Sequence, residues 1–227
     1  FISGATGDIG TEISKKLAML NCNLILCGSN EQKLKNLSAS LNHKKNTINI
    51  IAGDLNDLSD IERIAKDAKS MCNIDIVINS AGVFPNSSIA ETSNKMLLET
   101  INVNFVAPFI FIREFSKSMI ANKWGRIINI GSSSAYAGFK NTSAYCASKH
   151  AILGLSRSAH DELKTHNIRT YCLSPSSTKG KMGKQSTDQD YDTFLDPEEI
   201  AEYLTFIISF DSNVMLEELM LKRLFTR

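Results

Sequence analysis

Short apolar runs alternate along the chain with longer stretches in which apolar residues recur at helical spacing. The runs end in Gly, Asn, Asp or Ser, and short connections join them to the helical stretches. Strands that are buried on both faces of a parallel sheet show this kind of continuous apolar run. The pattern predicts seven strands, at 1–3, 23–27, 47–52, 74–78, 126–130, 168–173 and 219–221.

The helical stretches lie between these runs and predict helices at 9–20, 31–41, 57–71, 92–122, 143–166 and 197–210. Pro108 should kink the fourth helix. Asp196 and Pro197 form a good helix start, as N-cap and first helical residue. Strand–helix alternation predicts an α/β fold, a Rossmann-like doubly wound, seven-stranded parallel sheet with helices on both faces. We expect one domain over 1–227, with a few strand residues preceding Phe1.

The segment 174–195 is polar and rich in Lys, Ser and Gly, and it is long for a plain connection. Such segments often cover a binding site, so we predict a mobile substrate loop here. Its lysines, Lys179, Lys181 and Lys184, are expected to be solvated, with contact to an anionic ligand as the alternative.

Composition narrows the function classes. The chain has 227 residues, and its net charge of +1, with both signs interspersed, gives no footprint for nucleic acid or for an anionic membrane. No apolar run is expected to span a bilayer, and no signal peptide is expected. Five cysteines without a CxxC pair fit reduced thiols in the cytoplasm. The four histidines, including His43, lack metal spacing, so we expect surface or satisfied side chains and no metal site.

A glycine-rich turn, Gly4-Ala-Thr-Gly7-Asp-Ile-Gly10, joins the first predicted strand to the first helix. Small residues let backbone N–H groups approach a pyrophosphate, and the helix N-terminus adds partial positive charge. The three glycines are therefore candidate phosphate contacts, although many such turns are only tight connections.

Residues just after the second and third predicted strands are further candidates for contacts with a dinucleotide. After the second strand, Gly28 and Ser29 stand where NAD-binding folds place an acid for the ribose. The absence of that acid favours NADP, and NAD remains possible because no Arg stands there either. Asp54, after the third strand, could accept from an adenine amino group or cap the next helix.

Tyr145 and Lys149 lie four residues apart, so a helix places both side chains on one face. An ammonium group beside a phenol should lower the phenol pKa and let the hydroxyl give or take a proton. The alternative is a half-buried ring beside a solvated head. Asn104 lies inside a helix and needs a partner there, either a structural hydrogen bond or a held water.

Taken together, the motifs resemble the short-chain dehydrogenase/reductase family, of the classical type, over essentially the whole chain. They are SGATGDIG at 3–10, GDL at 53–55, NSAG at 79–82, Asn104, Ser132 and YCASK at 145–149. Ser132 precedes Tyr145 by thirteen residues, the separation found in the family.

The resemblance implies a catalytic set and a cofactor. Tyr145 would be the general acid of carbonyl reduction, Lys149 would lower its pKa and bind the nicotinamide ribose, Ser132 would orient the substrate oxygen, and Asn104 would hold a water. The residues expected to bind the dinucleotide are Gly4, Thr6, Gly7, Asp8, Ile9, Gly10, Ser29, Asn30, Asp54, Leu55, Asn79, Ala81, Gly82, Tyr145, Lys149, Pro175 and Thr178.

The chain departs from the family pattern at several positions. Asp8 replaces the middle glycine of the turn, and the resulting glycine spacing is closer to that of the extended members, which include sugar-nucleotide epimerases and dehydratases. After the sixth strand the family favours Pro-Gly, where this chain has Pro175-Ser176, and Thr178 could replace the threonine that holds the nicotinamide.

The leading interpretation is an NAD(P)-dependent oxidoreductase that uses NADPH to reduce a ketone, whether a 3-oxoacyl thioester, a keto sugar or a small ketone. A non-catalytic dinucleotide sensor or scaffold is the alternative, and an epimerase or dehydratase is opposed by the missing substrate domain. The family pairs the helices at 92–122 and 143–166 between subunits, so we expect a homodimer or homotetramer.

Overall fold

The computed structural model describes residues 1–41, 45–186 and 189–225. It forms one sheet of seven parallel strands in the order β3-β2-β1-β4-β5-β6-β7, so the predicted fold class is confirmed. The strands are β1 Ile2–Ser3, β2 Leu24–Gly28, β3 Ile48–Ala52, β4 Ile76–Asn79, β5 Gly125–Ile130, β6 Ile168–Pro175 and β7 Glu218–Leu221. His43 lies outside the described residues.

Helices cover both faces of the sheet. They are α1 Asp8–Met19, α2 Glu31–Ser40, α3 Leu58–Met71, α4 Asn94–Ile101, α5 Ala107–Asn122, α6 Ser143–Leu163 and α7 Pro197–Ile208. The apolar sides of α1, α2 and α7 pack with one face of the sheet, and those of α3, α5 and α6 pack with the other. Each face therefore carries its own buried core, as the continuous apolar strands require.

The predicted helix at 92–122 is divided. One π-helical turn, Asn102–Val106, separates α4 from α5, and Pro108 follows it in the first turn of α5. The departure from regular α-helix lies in the turn directly before Pro108, the turn that loses a backbone hydrogen bond to the proline.

By length and hydropathy the combined helix Asn94–Asn122 could cross a membrane, contrary to the prediction that no run is long enough. Its inner side packs into the protein core through Phe111 and Phe115, which are fully buried. That burial is the behaviour of a core helix in an α/β domain.

Helix starts follow capping chemistry. Asp57, not Asp54, caps α3, because its carboxylate accepts from the Ser59 amide. Asp196 and Glu199 form a capping box at α7, with Pro197 in the first turn, as predicted.

The segment 174–195 contains local structure in its described part. Thr178 pairs with Leu195 in an isolated parallel bridge, and two 3₁₀ turns lie at Gly183–Gln185 and Tyr191–Thr193. The Arg223 guanidinium donates to Thr193 at 3.0 Å and lies 5.0 Å from the Phe194 ring centroid. Side chains from other parts of the fold therefore hold this segment beside the carboxyl ends of the strands.

Candidate active site

The candidate site lies at the carboxyl ends of β1 and β4, where the order of the strands reverses. Ligands of open α/β sheets bind at this point. Gly4 begins the turn after β1 with φ +65°, and a Cβ there would lie 2.6 Å from the Ala81 backbone. Only glycine allows the turn to pack this closely on the segment that follows β4.

The start of α1 faces a cleft. Gly7 caps the helix with extended backbone, and Asp8 occupies its first turn. A cavity of about 330 Å³ lies between this turn, Lys179 and Pro197. An exposed helix N-terminus preceded by a glycine turn fits the pyrophosphate of a dinucleotide.

The predicted pair, Tyr145 and Lys149, lies in the first turns of α6, and both side chains are buried. The Lys149 ammonium donates to the Ile130 carbonyl at 2.8 Å and lies 5.5 Å from the Tyr145 ring centroid. Ser132 lies two residues after Ile130, the last residue of β5, so the lysine's acceptor and the predicted serine lie together at the end of that strand. The alternative of a solvated lysine head is wrong.

Burial dominates the protonation of this pair. It lowers the pKa of Lys149 to about 8. It raises the pKa of Tyr145 to about 12, and a hydrogen bond with Ser132 opposes that rise. Desolvation of the phenolate is the largest influence on the pKa of Tyr145, and it acts against the acidification that the sequence predicts.

Asn104 lies in the π-helical turn and is 2% exposed. Its side-chain oxygen accepts from the Val83 amide at 2.9 Å, and its nitrogen donates to the Val83 carbonyl at 3.0 Å and to Ser148 at 2.9 Å. The sequence left open whether Asn104 makes a structural hydrogen bond or holds a water, and the structural hydrogen bonds are present. The extra residue of a π turn is common at functional sites, and here it aims the amide at the segment after β4.

Asn79 has an internal partner for its side-chain nitrogen and none among the described residues for its side-chain oxygen. Its side-chain nitrogen donates to Asn129 at 2.8 Å, and Asn129 donates to Ser156 on α6 at 2.8 Å. The three side chains are buried. These two consecutive side-chain hydrogen bonds, which we call the Asn79–Asn129–Ser156 chain, join β4, β5 and α6 beneath the site.

The remaining predicted cofactor residues lie along the same sheet edge, but several have other partners. Asn30 caps α2 by accepting from the Lys33 amide at 2.9 Å. The Thr178 hydroxyl donates to the Ser176 carbonyl at 2.9 Å. Leu55 is buried in the core. Thr6 faces Gly28, since its hydroxyl would lie 3.3 Å from a Cβ there.

Two contacts at the site escaped sequence reasoning. The Phe84 ring meets the Tyr145 ring edge-on, with centroids 4.7 Å apart. The Lys181 amide donates to the Asp8 carboxylate at 2.8 Å. The second contact had a signal in the sequence, because Asp8 is an acid in a turn that otherwise favours glycine.

Comparison with known proteins agrees with this architecture. A family model described as short chain dehydrogenase matches residues 1–191. The 3-oxoacyl-(acyl-carrier-protein) reductase of Rickettsia bellii is 31% identical over 221 residues, which cover 93% of this chain and 89% of that protein.

Two solved structures share the fold. A metagenomic short-chain oxidoreductase in complex with NADP is 25% identical at a TM-score of 0.86, with 99% of this chain and 96% of that one covered. A 4-hydroxyisoleucine dehydrogenase complexed with NADH is also 25% identical, at 0.85, with 98% and 96% covered.

The fold is that of a Rossmann-type α/β protein. The chain belongs to the short-chain dehydrogenase/reductase family, whose members are NAD(P)-dependent oxidoreductases that act on CH–OH and ketone groups.

Proposed function

We propose that this chain reduces a 3-oxoacyl thioester to the 3-hydroxy product, with NADPH as the hydride donor. The observation that carries the proposal is the buried Tyr145–Lys149 pair, which lies against the end of β5 beside Ser132. The similarity to a 3-oxoacyl-(acyl-carrier-protein) reductase favours this substrate over a keto sugar or a small ketone.

The protein's part in the reaction is to bind, to orient and to move a proton. When bound, NADPH supplies the hydride that the carbonyl carbon accepts. The carbonyl oxygen takes the phenolic proton of Tyr145, which burial keeps protonated at neutral pH. The Ser132 hydroxyl donates a hydrogen bond to the same oxygen as negative charge develops.

Lys149 supports the proton transfer through its charge. Its ammonium has no carboxylate partner among the described residues and donates only to the Ile130 carbonyl. A buried, uncompensated positive charge stabilises the phenolate left on Tyr145 after the transfer. Asn104 would hold the water through which the proton is restored, with its present partners fixing the amide in place.

The glycine turn and the strand tips fit the dinucleotide. The α1 N-terminus would receive the pyrophosphate. The tip of β2 carries Gly28, Ser29 and Asn30 with no acid to meet a ribose hydroxyl, which favours NADPH over NADH.

We propose that the acyl chain lies beside Tyr145, where the aromatic side chain of Phe84 packs. Phe84 contacts the tyrosine ring, and the Ser87 amide donates to the Asn141 carbonyl at 2.8 Å. That bond joins the segment after β4 to the segment before α6, which also exposes Phe139.

The test is NADPH oxidation by the purified protein with 3-oxoacyl thioesters, keto sugars and small ketones, and with NADH in parallel. Tyr145→Phe should lower kcat by about 10²–10⁴-fold while NADPH still binds, because a general acid contributes about that much. Tyr136→Phe is the control, since the Tyr136 hydroxyl donates to Glu218 at 2.9 Å rather than facing the lysine.

A dinucleotide-binding protein without turnover is the second candidate. The Asp8–Lys181 contact over the glycine turn and the occupied Thr178 hydroxyl favour it. Cofactor binding with no turnover on any carbonyl of the panel would support this candidate and overturn the first.

We also propose a cytoplasmic location. The five cysteines are all unpaired thiols, which suits a reducing compartment.

A further inference from the structure

Asp8 makes a contact between the glycine-rich turn after β1 and the loop that follows β6. It lies in the first turn of α1, and its carboxylate accepts from the Lys181 amide at 2.8 Å. We call residues 176–186 the Gly180 loop. The contact joins this loop to the glycine turn across 173 positions of sequence.

Gly180 fits tightly over the carboxylate. Its backbone has φ +135°, and a Cβ would lie 2.2 Å from the Asp8 carboxylate oxygen. On its other side, the Gly180 amide donates to the Tyr191 hydroxyl at 2.8 Å. Only glycine at 180 allows the loop to approach Asp8 this closely.

The Asp8 carboxylate and the cofactor's pyrophosphate are both negatively charged, so the loop contact and cofactor binding oppose each other. A carboxylate in the first turn of a helix is stabilised by the exposed amides and the helix dipole. The pyrophosphate of a dinucleotide would use the same helix end. Two anions at one terminus repel, and the nearby Lys179 ammonium is already paired with Asp196 at 3.1 Å.

We propose that Asp8 is a positioning residue that holds the Gly180 loop on the glycine turn and competes with the cofactor's pyrophosphate for the α1 N-terminus. Cofactor binding then separates Asp8 from Lys181 and frees the loop. The competition rests on the proposed function, whereas the loop contact is a property of the free protein and can be measured without cofactor.

The loop contact is tested by hydrogen exchange of the Lys181 amide in the free protein. Asp8→Ala removes the acceptor and should raise the exchange rate about five- to tenfold. Asp8→Asn keeps an acceptor oxygen and should stay within about twofold of the wild type. Glu12→Gln is the control, because Glu12 lies on the same helix and pairs with Lys15 rather than with the loop. Unchanged exchange in Asp8→Ala overturns the contact.

The competition is tested by titrating NADPH into the same variants at low ionic strength. Asp8→Asn should tighten NADPH binding about three- to tenfold, because it removes the charge and keeps the hydrogen bond. Adenosine, which has no phosphate, should bind all variants equally. Unchanged or weaker NADPH binding in Asp8→Asn overturns the competition.

A third outcome separates this inference from the proposed function. If no nicotinamide dinucleotide binds wild type or variants while Asp8→Ala still speeds exchange, the proposed function and the competition both fail and the loop contact stands. Gly180→Ala gives a reciprocal check: its Cβ should displace the loop and speed exchange, and Asp8→Gly in the same chain should reverse much of that effect.

Discussion

Burial acts on the two central side chains in opposite directions. It favours the neutral form of each, so Tyr145 keeps its proton well above neutral pH, whereas Lys149 gives up its proton more easily than an exposed lysine. A general acid must hold its proton until the transfer, and the raised pKa of the phenol suits that role in reduction.

The pH dependence of activity follows from Lys149. Its pKa of about 8 means that the ammonium loses its proton above that pH in the free protein, whereas the phenol stays protonated. We expect kcat/KM for NADPH-dependent reduction to fall as pH rises through about 8, measured as initial rates from pH 6 to 10. A profile that is flat to pH 10 would contradict the role given to the lysine's charge.

The same burial costs stability. Between the folded pKa of about 8 and the ordinary value of 10.5, the unfolded state binds more protons, so the free energy of unfolding rises with pH in that window. Below pH 8 the full cost is present. Lys149→Met should therefore raise the free energy of unfolding at pH 7 by about 2 kcal/mol and abolish this slope, after allowing for the lost bond to Ile130.

Urea denaturation at pH 7, 8, 9 and 10 measures this effect. Lys95→Met is the control, because Lys95 is exposed and should change neither stability nor slope. A destabilised Lys149→Met protein with an unchanged slope would show that the hydrogen bond, and not the desolvated charge, dominates.

At the scale of elements, the π turn between α4 and α5 has a specific task. It places Asn104 so that one side chain satisfies both backbone groups of Val83. Asn104→Ala should lower the free energy of unfolding by about 2–3 kcal/mol, because two buried backbone groups lose their partner. The change should also lower activity, since the segment after β4 borders the lysine.

Asn102→Ala is the matched control in the same turn. Asn102 is partly exposed, and it donates to Asn56 at 3.1 Å instead of to the site. Its loss should cost about 1 kcal/mol or less and leave turnover near wild type. Equal effects of the two substitutions on activity would contradict the task assigned to Asn104.

The sequence was most informative where local patterns determine structure. Apolar runs placed the strands within about two residues, and Asp196-Pro197 marked the start of α7 correctly. Asp54 and Asp57 could not be separated, because both are acids just before a helical pattern. The π turn was missed since its extra residue leaves little trace in hydrophobic spacing.

The chemistry was harder to predict than the fold. The pairing of Tyr145 with Lys149 follows from a spacing of four, but the sign of the tyrosine pKa shift depends on burial by other elements. The contact between Asp8 and Lys181 depends on how two distant loops meet at the sheet edge, which no local pattern encodes.

At the scale of the whole molecule, α4 and α5 expose large apolar side chains on the side away from the sheet. Leu98 is 59% exposed, Phe109 44% and Ile120 37%. We predict a dimer or tetramer at micromolar concentration, measured by sedimentation, in which these helices pair between subunits.

Phe109→Lys should shift this equilibrium toward smaller species, because a charge in a paired helix face must be desolvated. Leu20→Lys is the control, since Leu20 is also exposed, at 60%, and lies just after the end of α1. Wild-type protein that sediments as a monomer would refute the prediction.

The Asn79–Asn129–Ser156 chain of hydrogen bonds limits which substitutions these three positions can accept during evolution. Asn79 donates to Asn129 and Asn129 donates to Ser156, and all three side chains are buried, so a single apolar replacement of either asparagine would leave a buried neighbour without that hydrogen bond. A paired replacement of Asn79 and Asn129 by apolar residues would not carry that penalty to the same degree. Descendants of this chain should therefore keep the set intact or exchange its members together, and an isolated change at one position would mark a lineage under relaxed selection.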